Sequence, residues 1–227
     1  MESVAEALSH PKSARAIWVR TGEMALLRRH LEEFTKLEEL ELQAQGLRRL
    51  PDALFGLDRL ARLDASDNNL RALQPALGRL RRLRELHLPA NRIAVLPEEL
   101  CELTELRFLD LADNELTALP SDFARLRKLQ ELVLSANRLA ALPTSVFELE
   151  QVTRLALNQN ALSQLPSGLD RLTKLTDLQL AHNRLRRVPD GVERLAQLEW
   201  LTLHENPLAP GELRRIRRTL RGCYVSG

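Results

Sequence analysis

The sequence predicts a curved α/β solenoid, with a parallel β-sheet on its concave side and short helical or 3-10 segments on its convex side. Nine segments fit one pattern, Leu-x-x-Leu-x-Leu-x-x-Asn-x-Leu-x-x-Leu-Pro, at a constant spacing of 23 residues without insertion. Such a period is typical of repeat proteins in which each unit packs on the next. The segments begin at Ala14, Leu37, Leu60, Leu83, Leu106, Leu129, Val152, Leu175 and Leu198.

One repeat shows why both element types are expected. In the unit that begins at Leu129, Leu132 and Leu134 alternate with other residues, which predicts a short strand that turns the leucines inward and Val133 outward. Residues 143–149 instead space their apolar side chains three apart, as in a helical or 3-10 turn. Because a helical segment is wider than a strand, a stack of such units bends with its strands on the inside.

An asparagine recurs after the strand in most repeats. An asparagine side chain both donates and accepts hydrogen bonds, so we expect it to satisfy backbone groups that a sharp buried turn leaves unpaired. Gly22 and Gln45 occupy the equivalent positions of the first two repeats. The column consists of Asn68, Asn91, Asn114, Asn137, Asn160, Asn183 and Asn206.

Apolar residues at helical spacing flank the repeats at both ends. They precede Pro11 at one end and form an amphipathic, Arg-rich pattern over residues 210–220 at the other, with a short strand predicted at residues 223–225. Caps are expected because each end of a stack would otherwise expose apolar core. The predicted organisation is an N-terminal cap helix at 1–13, nine repeats at 14–208, and a cap helix with closing strand at 209–227.

Composition limits the classes of partner. Charged residues make up 28% of the chain, but 33 Lys and Arg nearly cancel 31 Asp and Glu. The net charge of +2 gives no general reason to expect a nucleic-acid or membrane partner. No apolar run reaches the ~18 residues of a membrane span, and the first twenty residues lack the apolar stretch of a signal peptide. Cys101 and Cys223 lie in distant units and cannot bridge, so we expect a cytoplasmic protein.

The repeat pattern resembles that of leucine-rich-repeat proteins, specifically the 23-residue intracellular type of Ras-suppressor-like and Ras-group proteins. The resemblance covers residues 14–208, and the ending Asn206-Pro207-Leu208 is similar to that of bacterial members. It implies a horseshoe-shaped solenoid and a general protein-binding role. It also suggests signalling partners, such as small GTPases or their regulators.

Aromatic residues in outward strand positions mark the concave sheet as a candidate binding face. Aromatic residues make up only 4% of the chain, yet Trp18, Phe108 and Trp200 all occupy outward positions. Exposed aromatic residues are favoured anchors at protein interfaces. Val133 and Ala156 would extend an apolar surface beside Phe108. The alternative for Trp18 and Trp200 is packing beneath the caps, and the sequence leaves it open.

Charge is the second feature of this predicted face. Its N-terminal half is acidic, and Arg62 offsets part of the negative charge there. It would therefore attract a basic or mixed-charge partner. The alternative is an ordinary solubilising surface. The acidic residues are Glu39, Glu41, Asp64, Glu85 and Asp110; His87, Arg154 and Asp177 complete the candidate binding residues.

No motif for catalysis is present. The chain contains no Gly-rich phosphate loop, His-Glu-x-x-His or Cys-x-x-Cys sequence. His182 and His204 lie in adjacent units and could hold a metal, but adjacent histidines also arise easily by repetition. The arginines of residues 214–221 are expected to form a solvated helix face, with an acidic lipid or nucleic acid as the alternative contact.

The expected function is therefore that of a monomeric, non-catalytic module without cofactor, which captures a protein on its concave face. The alternative is a bacterial effector or adaptor that recruits host or enzyme partners through the same face and is secreted into a host cell. Translocation of a reporter fusion would favour that alternative.

Overall fold

The computed structural model describes residues 1–227 and contains one all-parallel sheet of eleven strands in sequence order. From β2 to β10 each residue pairs with the residue 23 positions further along the chain, so the register is constant. The fold class predicted from the sequence is confirmed. The strands are β1 (Glu2–Ser3), β2 (Ala16–Trp18), β3 (Glu39–Glu41), β4 (Arg62–Asp64), β5 (Glu85–His87), β6 (Phe108–Asp110), β7 (Glu131–Val133), β8 (Arg154–Ala156), β9 (Asp177–Gln179), β10 (Trp200–Thr202) and β11 (Tyr224–Ser226).

Short helical segments form the convex side, as the spacing of apolar residues predicts. Three are α-helices, namely α1 (Val4–Ala7), α2 (Met24–His30) and α3 (Glu212–Thr219). The others are 3-10 segments at Leu31–Glu33, Asp52–Gly56, Pro75–Arg79, Glu98–Glu102, Phe123–Arg125, Thr144–Glu148, Leu169–Arg171 and Val192–Arg194. None of the helices is long and apolar enough to cross a membrane.

A single apolar core runs along the whole solenoid. Sixty-six buried residues from Val4 to Val225 form one continuous cluster, which excludes a division into two lobes. The middle residue of each repeat strand points into this core; Leu132, for example, lies in register between Leu109 and Leu155 and has no exposed surface. The flanking residues of the same strands therefore face outward.

The asparagine column forms a ladder of hydrogen bonds, as predicted. Asn68 Nδ2 donates to Leu42 O at 2.8 Å, and its Oδ1 accepts from Leu47 N at 2.8 Å. The residue before each asparagine has a φ of 52° to 55°, in the left-handed region, so the turn is sharp and leaves backbone groups that the side chain must satisfy. In the second repeat Gln45 Nε2 donates to Val19 O at 3.0 Å.

Both ends of the sheet carry an additional strand. β1 pairs with β2 and leads directly into α1, where Ser3 and Glu6 form a capping box. At the other end α3 is followed by β11, which pairs with β10 in register.

The interpretation of the α3 arginines as a wholly solvated face is wrong for Arg215. Its Nη2 and Nε donate to Glu212 Oε1 at 2.7 Å and Oε2 at 3.0 Å. Glu212 is only 7% exposed, and its Oε1 also accepts from Val188 N at 2.9 Å. Arg215 Nη2 donates in turn to Val188 O at 2.9 Å. This partly buried pair fastens α3 to the turn of the preceding repeat.

Replacing Glu212 by glutamine is expected to lower the free energy of unfolding at pH 7 by about 2 kcal/mol, because Arg215 loses a charged partner. Hydrogen bonds from Arg215 hold the pKa of Glu212 below its usual 4.5. The carboxylate therefore stabilises the fold above that pH, and its contribution is lost as the pH falls through the folded-state pKa.

Urea unfolding of wild type and Glu212→Gln at about pH 7 and about pH 3 measures this effect. The difference between the two proteins should shrink in acid. Arg214→Gln, a change on the exposed side of the same helix, is the matched control and should alter stability little at either pH. A difference that stays constant with pH would contradict the assignment.

Candidate functional site

The outward residues of the strands form continuous rows across the concave sheet. Since neighbouring strands pair with constant register, residues at the same repeat position lie about 4.8 Å apart. One row runs through Glu39, Arg62, Glu85, Phe108, Glu131, Arg154, Asp177 and Trp200. The next row runs through Trp18, Glu41, Asp64, His87, Asp110, Val133, Ala156 and Gln179.

Arg62 organises the acidic half of the face. Its Nη1 lies 3.0 Å from Glu85 Oε2. Its Nη2 lies 3.6 Å from Asp64 Oδ2 and 3.7 Å from Glu41 Oε1. His87 Nε2 lies 3.3 Å from the same guanidinium and 3.5 Å from Glu85. One arginine thus offsets repulsion among three carboxylates of neighbouring strands. The sequence indicated only that Arg62 is a positive charge within the acidic half of the face.

Arg154 has a similar position in the C-terminal half. Its Nε lies 3.3 Å from Asp177 Oδ2, and its Nη1 lies 3.9 Å from Glu131 Oε2. Gln179 Nε2 donates to the same oxygen of Asp177 at 2.8 Å. Arg154 and Glu131 are partly exposed, and both ion pairs are longer than 3 Å, so each pair adds little stability and mainly defines where charge lies on the face.

The centre of the face is apolar. The rings of Phe108 and His87 stack with centroids 4.6 Å apart and an angle of 28° between their planes. Val133 follows one strand further, and Ala156, which is 1% exposed, follows next. We call Phe108 and Val133 the apolar floor. The prediction that Ala156 extends it is wrong, because Ala156 has almost no surface that a partner could contact. The stack with His87 was not predicted, although both residues were candidates.

The two tryptophans lie near opposite ends of the sheet. Trp18 is 38% exposed, and the guanidinium of Arg20 lies 4.8 Å from its ring centroid. Trp200 is 52% exposed, and its ring lies 5.4 Å from that of Tyr224 in β11. Trp200 therefore contacts the final strand yet keeps half of its surface in solvent. Both tryptophans remain accessible to a partner.

Two carboxylates of the face have no cation within 4.0 Å. Glu39 is half-buried beside β4, and none of the ion pairs includes it. Asp110 is half-buried at the edge of the apolar floor, and its Oδ1 accepts from Ala112 N at 2.9 Å. Burial raises the pKa of the Asp110 carboxyl, because its charged form loses hydration there.

The candidate chemical groups outside this face are two histidines and two cysteines. His182 and His204 make an edge-to-face contact at 5.3 Å, but no three potential metal ligands cluster anywhere. Cys101 is fully buried on the convex side, and burial raises the pKa of its thiol to about 12. It is therefore a core residue rather than a nucleophile. Cys223 is partly buried, and burial raises the pKa of its thiol as well.

A one-sheet solenoid with a recurring asparagine ladder and a varied concave face defines a repeat protein of the solenoid class. The chain belongs to the leucine-rich-repeat family. Residues 35–93 match the family model described as leucine rich repeat, and residues 95–206 match the one described as leucine-rich repeat region. Domains of this family generally mediate protein–protein interaction and are generally not catalytic.

Curated relatives share a short part of the chain. The volume-regulated anion channel subunit LRRC8E of Mus musculus is 43% identical over 56 residues, which are 25% of this chain and 7% of the relative. The Homo sapiens protein of the same name is 47% identical over 47 residues, which are 21% of this chain and 6% of the relative. The matched part thus spans less than a tenth of these relatives.

Solved structures match over most of the chain. An internalin (inlF) of Listeria monocytogenes aligns with a TM-score of 0.83 and 22% identity, covering 97% of this chain and 62% of its own. The ectodomain of the plant receptor kinase GASSHO1/SCHENGEN3 from Arabidopsis thaliana, in complex with CASPARIAN STRIP INTEGRITY FACTOR 2, aligns with a TM-score of 0.72 and 30% identity, covering 78% of this chain and 22% of its own. The plant peptide hormone receptor RGFR1 in complex with RGF2 aligns with a TM-score of 0.72 and 22% identity, covering 86% of this chain and 36% of its own.

Proposed function

We propose that this protein is a non-catalytic module that captures a protein partner on its concave sheet. The carrying observation is the apolar floor with the stacked Phe108 and His87, held between two charged groups centred on Arg62 and Arg154. Apolar and aromatic side chains ringed by charge are the usual composition of an interface centre.

Rigidity is the physical advantage of this arrangement. The side chains project from strands fixed by the sheet and by the asparagine ladder, so little conformational entropy is lost when a partner binds. The complexes of the two plant receptors with CASPARIAN STRIP INTEGRITY FACTOR 2 and with RGF2 support ligand capture by a leucine-rich-repeat fold.

The finer assignments are also proposals. The constant 23-residue spacing supports the intracellular, Ras-suppressor-like repeat type with a bacterial-type ending, and with it a signalling partner such as a small GTPase or its regulator. The two free cysteines support a reducing, cytoplasmic location. We propose a monomer as the binding form.

The test is affinity capture from native lysate with wild type and with a Phe108→Ala/Trp200→Ala variant. We expect a partner that wild type retains and the variant recovers at least tenfold less, because interface aromatics contribute more than most contacts. Val95→Ala, which removes an exposed apolar side chain outside the sheet face, is the matched control.

Folding should be unchanged, since neither aromatic residue belongs to the buried core. Circular dichroism and the urea midpoint of the variant check this point. Equal recovery of the partner by wild type and variant would place the binding site away from the concave aromatics.

A further inference from the structure

Two aspartates occupy the same repeat position two units apart and have different surroundings. At Asp64, Oδ1 accepts from Ser66 N at 2.9 Å and from Ser66 Oγ at 2.6 Å. Its Oδ2 lies 3.6 Å from the Arg62 guanidinium. Asp64 thus has a backbone donor, a hydroxyl donor and a cation.

Asp110 retains only the first of these three partners. Ala112 N donates to its Oδ1 at 2.9 Å, as Ser66 N does at Asp64. However, Ala112 stands where the other unit has Ser66, and Phe108 stands where it has Arg62. Both the hydroxyl and the cation are therefore missing, and an aromatic ring takes the place of the cation.

The charged groups around Asp110 do not replace the hydroxyl and the cation that it lacks. His87 and Arg154 are near enough to favour its charged form, whereas Asp64 opposes it. Neither side chain forms an ion pair with the Asp110 carboxylate within 4.0 Å; Arg154 contacts Asp177 instead, and His87 contacts Glu85. Burial outweighs their influence and raises the pKa of Asp110.

The whole face has an excess of negative charge. From Glu39 to Asp177 its two rows carry only two arginines, Arg62 and Arg154, and five of the carboxylates lie within 4.0 Å of one of them. Of the remaining two, only Asp110 borders the apolar floor. The carboxylates are Glu39, Glu41, Asp64, Glu85, Asp110, Glu131 and Asp177.

We propose that Asp110 anchors an arginine side chain of the protein partner. This inference rests on the proposed function and specifies the chemistry of the bound residue. The guanidinium supplies the donors and the charge that Arg62 supplies at Asp64, and the arginine stem lies on the apolar floor. Arginine fits better than lysine, because its planar group can pair with a carboxylate and stack on the Phe108 ring, and it is less strongly hydrated.

A peptide selection tests the proposal. A random peptide library displayed on phage is selected against the full chain, and the selected peptides are synthesised. We expect arginine in the peptides that require Phe108. Their affinity should be about tenfold weaker for Asp110→Asn, since a hydrogen bond between charged groups is lost. Asp64→Asn, the same change two units away, should weaken binding much less.

Citrulline provides a matched change on the ligand. Replacing the arginine of a selected peptide by this neutral analogue should weaken binding to wild type and have little further effect on Asp110→Asn. Equal losses on both proteins would overturn the pairing. Peptides that depend on Phe108 but bind Asp110→Asn as tightly as wild type would overturn the inference and leave the proposed function intact. Peptides indifferent to Phe108 would count against both.

The stability of the free protein gives an independent measurement. Because Asp110 is half-buried without a cation, Asp110→Asn should raise the urea midpoint at neutral pH, while the amide oxygen can still accept from Ala112. Asp64→Asn should not raise it, since Arg62 would lose a partner. A lower midpoint for Asp110→Asn would show that the carboxylate is already satisfied and would overturn the proposal.

Discussion

Replacing Asn114 by alanine is expected to lower the free energy of unfolding by about 3 kcal/mol. Asn114 Nδ2 donates to Leu88 O at 2.9 Å and lies within hydrogen-bond distance of Leu111 O and Ala112 O. Its Oδ1 accepts from Ile93 N at 2.9 Å. Alanine would leave Ile93 N buried without an acceptor, and such a group costs about 1–3 kcal/mol. Leu88 O and Leu111 O would each lose one of two side-chain donors and keep Asn91 Nδ2 and Asn137 Nδ2, respectively.

The measurement is urea unfolding followed by circular dichroism. Asn69→Ala is the matched control, because that asparagine makes no side-chain hydrogen bond and its loss should cost less than about 0.5 kcal/mol. A loss below about 1 kcal/mol for Asn114→Ala would mean that solvent satisfies the turn and that the ladder contributes little.

The asparagine ladder and the strand register can be predicted from the sequence because the same turn recurs from repeat to repeat. Burying the strand leucines forces a sharp turn, and the turn requires a donor and an acceptor at one position. Asn68 and Asn137 therefore make equivalent bonds 69 residues apart in the chain. Repetition makes this part of the fold predictable, since seven of the nine units carry the asparagine and place it in the same turn.

The Glu212–Arg215 pair shows where sequence reasoning fails. A glutamate and an arginine three residues apart on a helix are usually exposed, so the pattern alone favours a solvated face. Only the packing of α3 against Val188 removes the carboxylate from water. The spacing is a signal, but it becomes informative only when the neighbouring backbone is known.

The candidate site is predictable to a similar extent. Strand periodicity places Phe108 and Val133 on the outer surface, and the structure has both there. It does not predict that Phe108 stacks on His87 or that Arg62 serves three carboxylates, because these contacts depend on side-chain rotamers. The lack of a cation beside Asp110 follows from a comparison of two repeats, because Phe108 occupies the position that Arg62 occupies two units earlier.

Replacing Leu132 by alanine is expected to lower the free energy of unfolding by about 3 kcal/mol, whereas Val133→Ala should cost less than about 1 kcal/mol. Leu132 has no exposed surface and packs between the leucines of the adjacent strands. Its truncation leaves a cavity that the stacked repeats on either side prevent from collapsing. Val133 points to the concave face, where solvent fills the space.

Urea unfolding of the two variants tests the alternation that underlies the binding face. Similar losses would mean that β7 does not present successive residues to opposite sides, and the face would then contain other residues. A large difference would show that outward positions are nearly free of structural constraint. In that case residues such as Phe108, Asp110 and Val133 can vary to suit a partner with little loss of folding stability. The same repeat architecture can then bind different ligands.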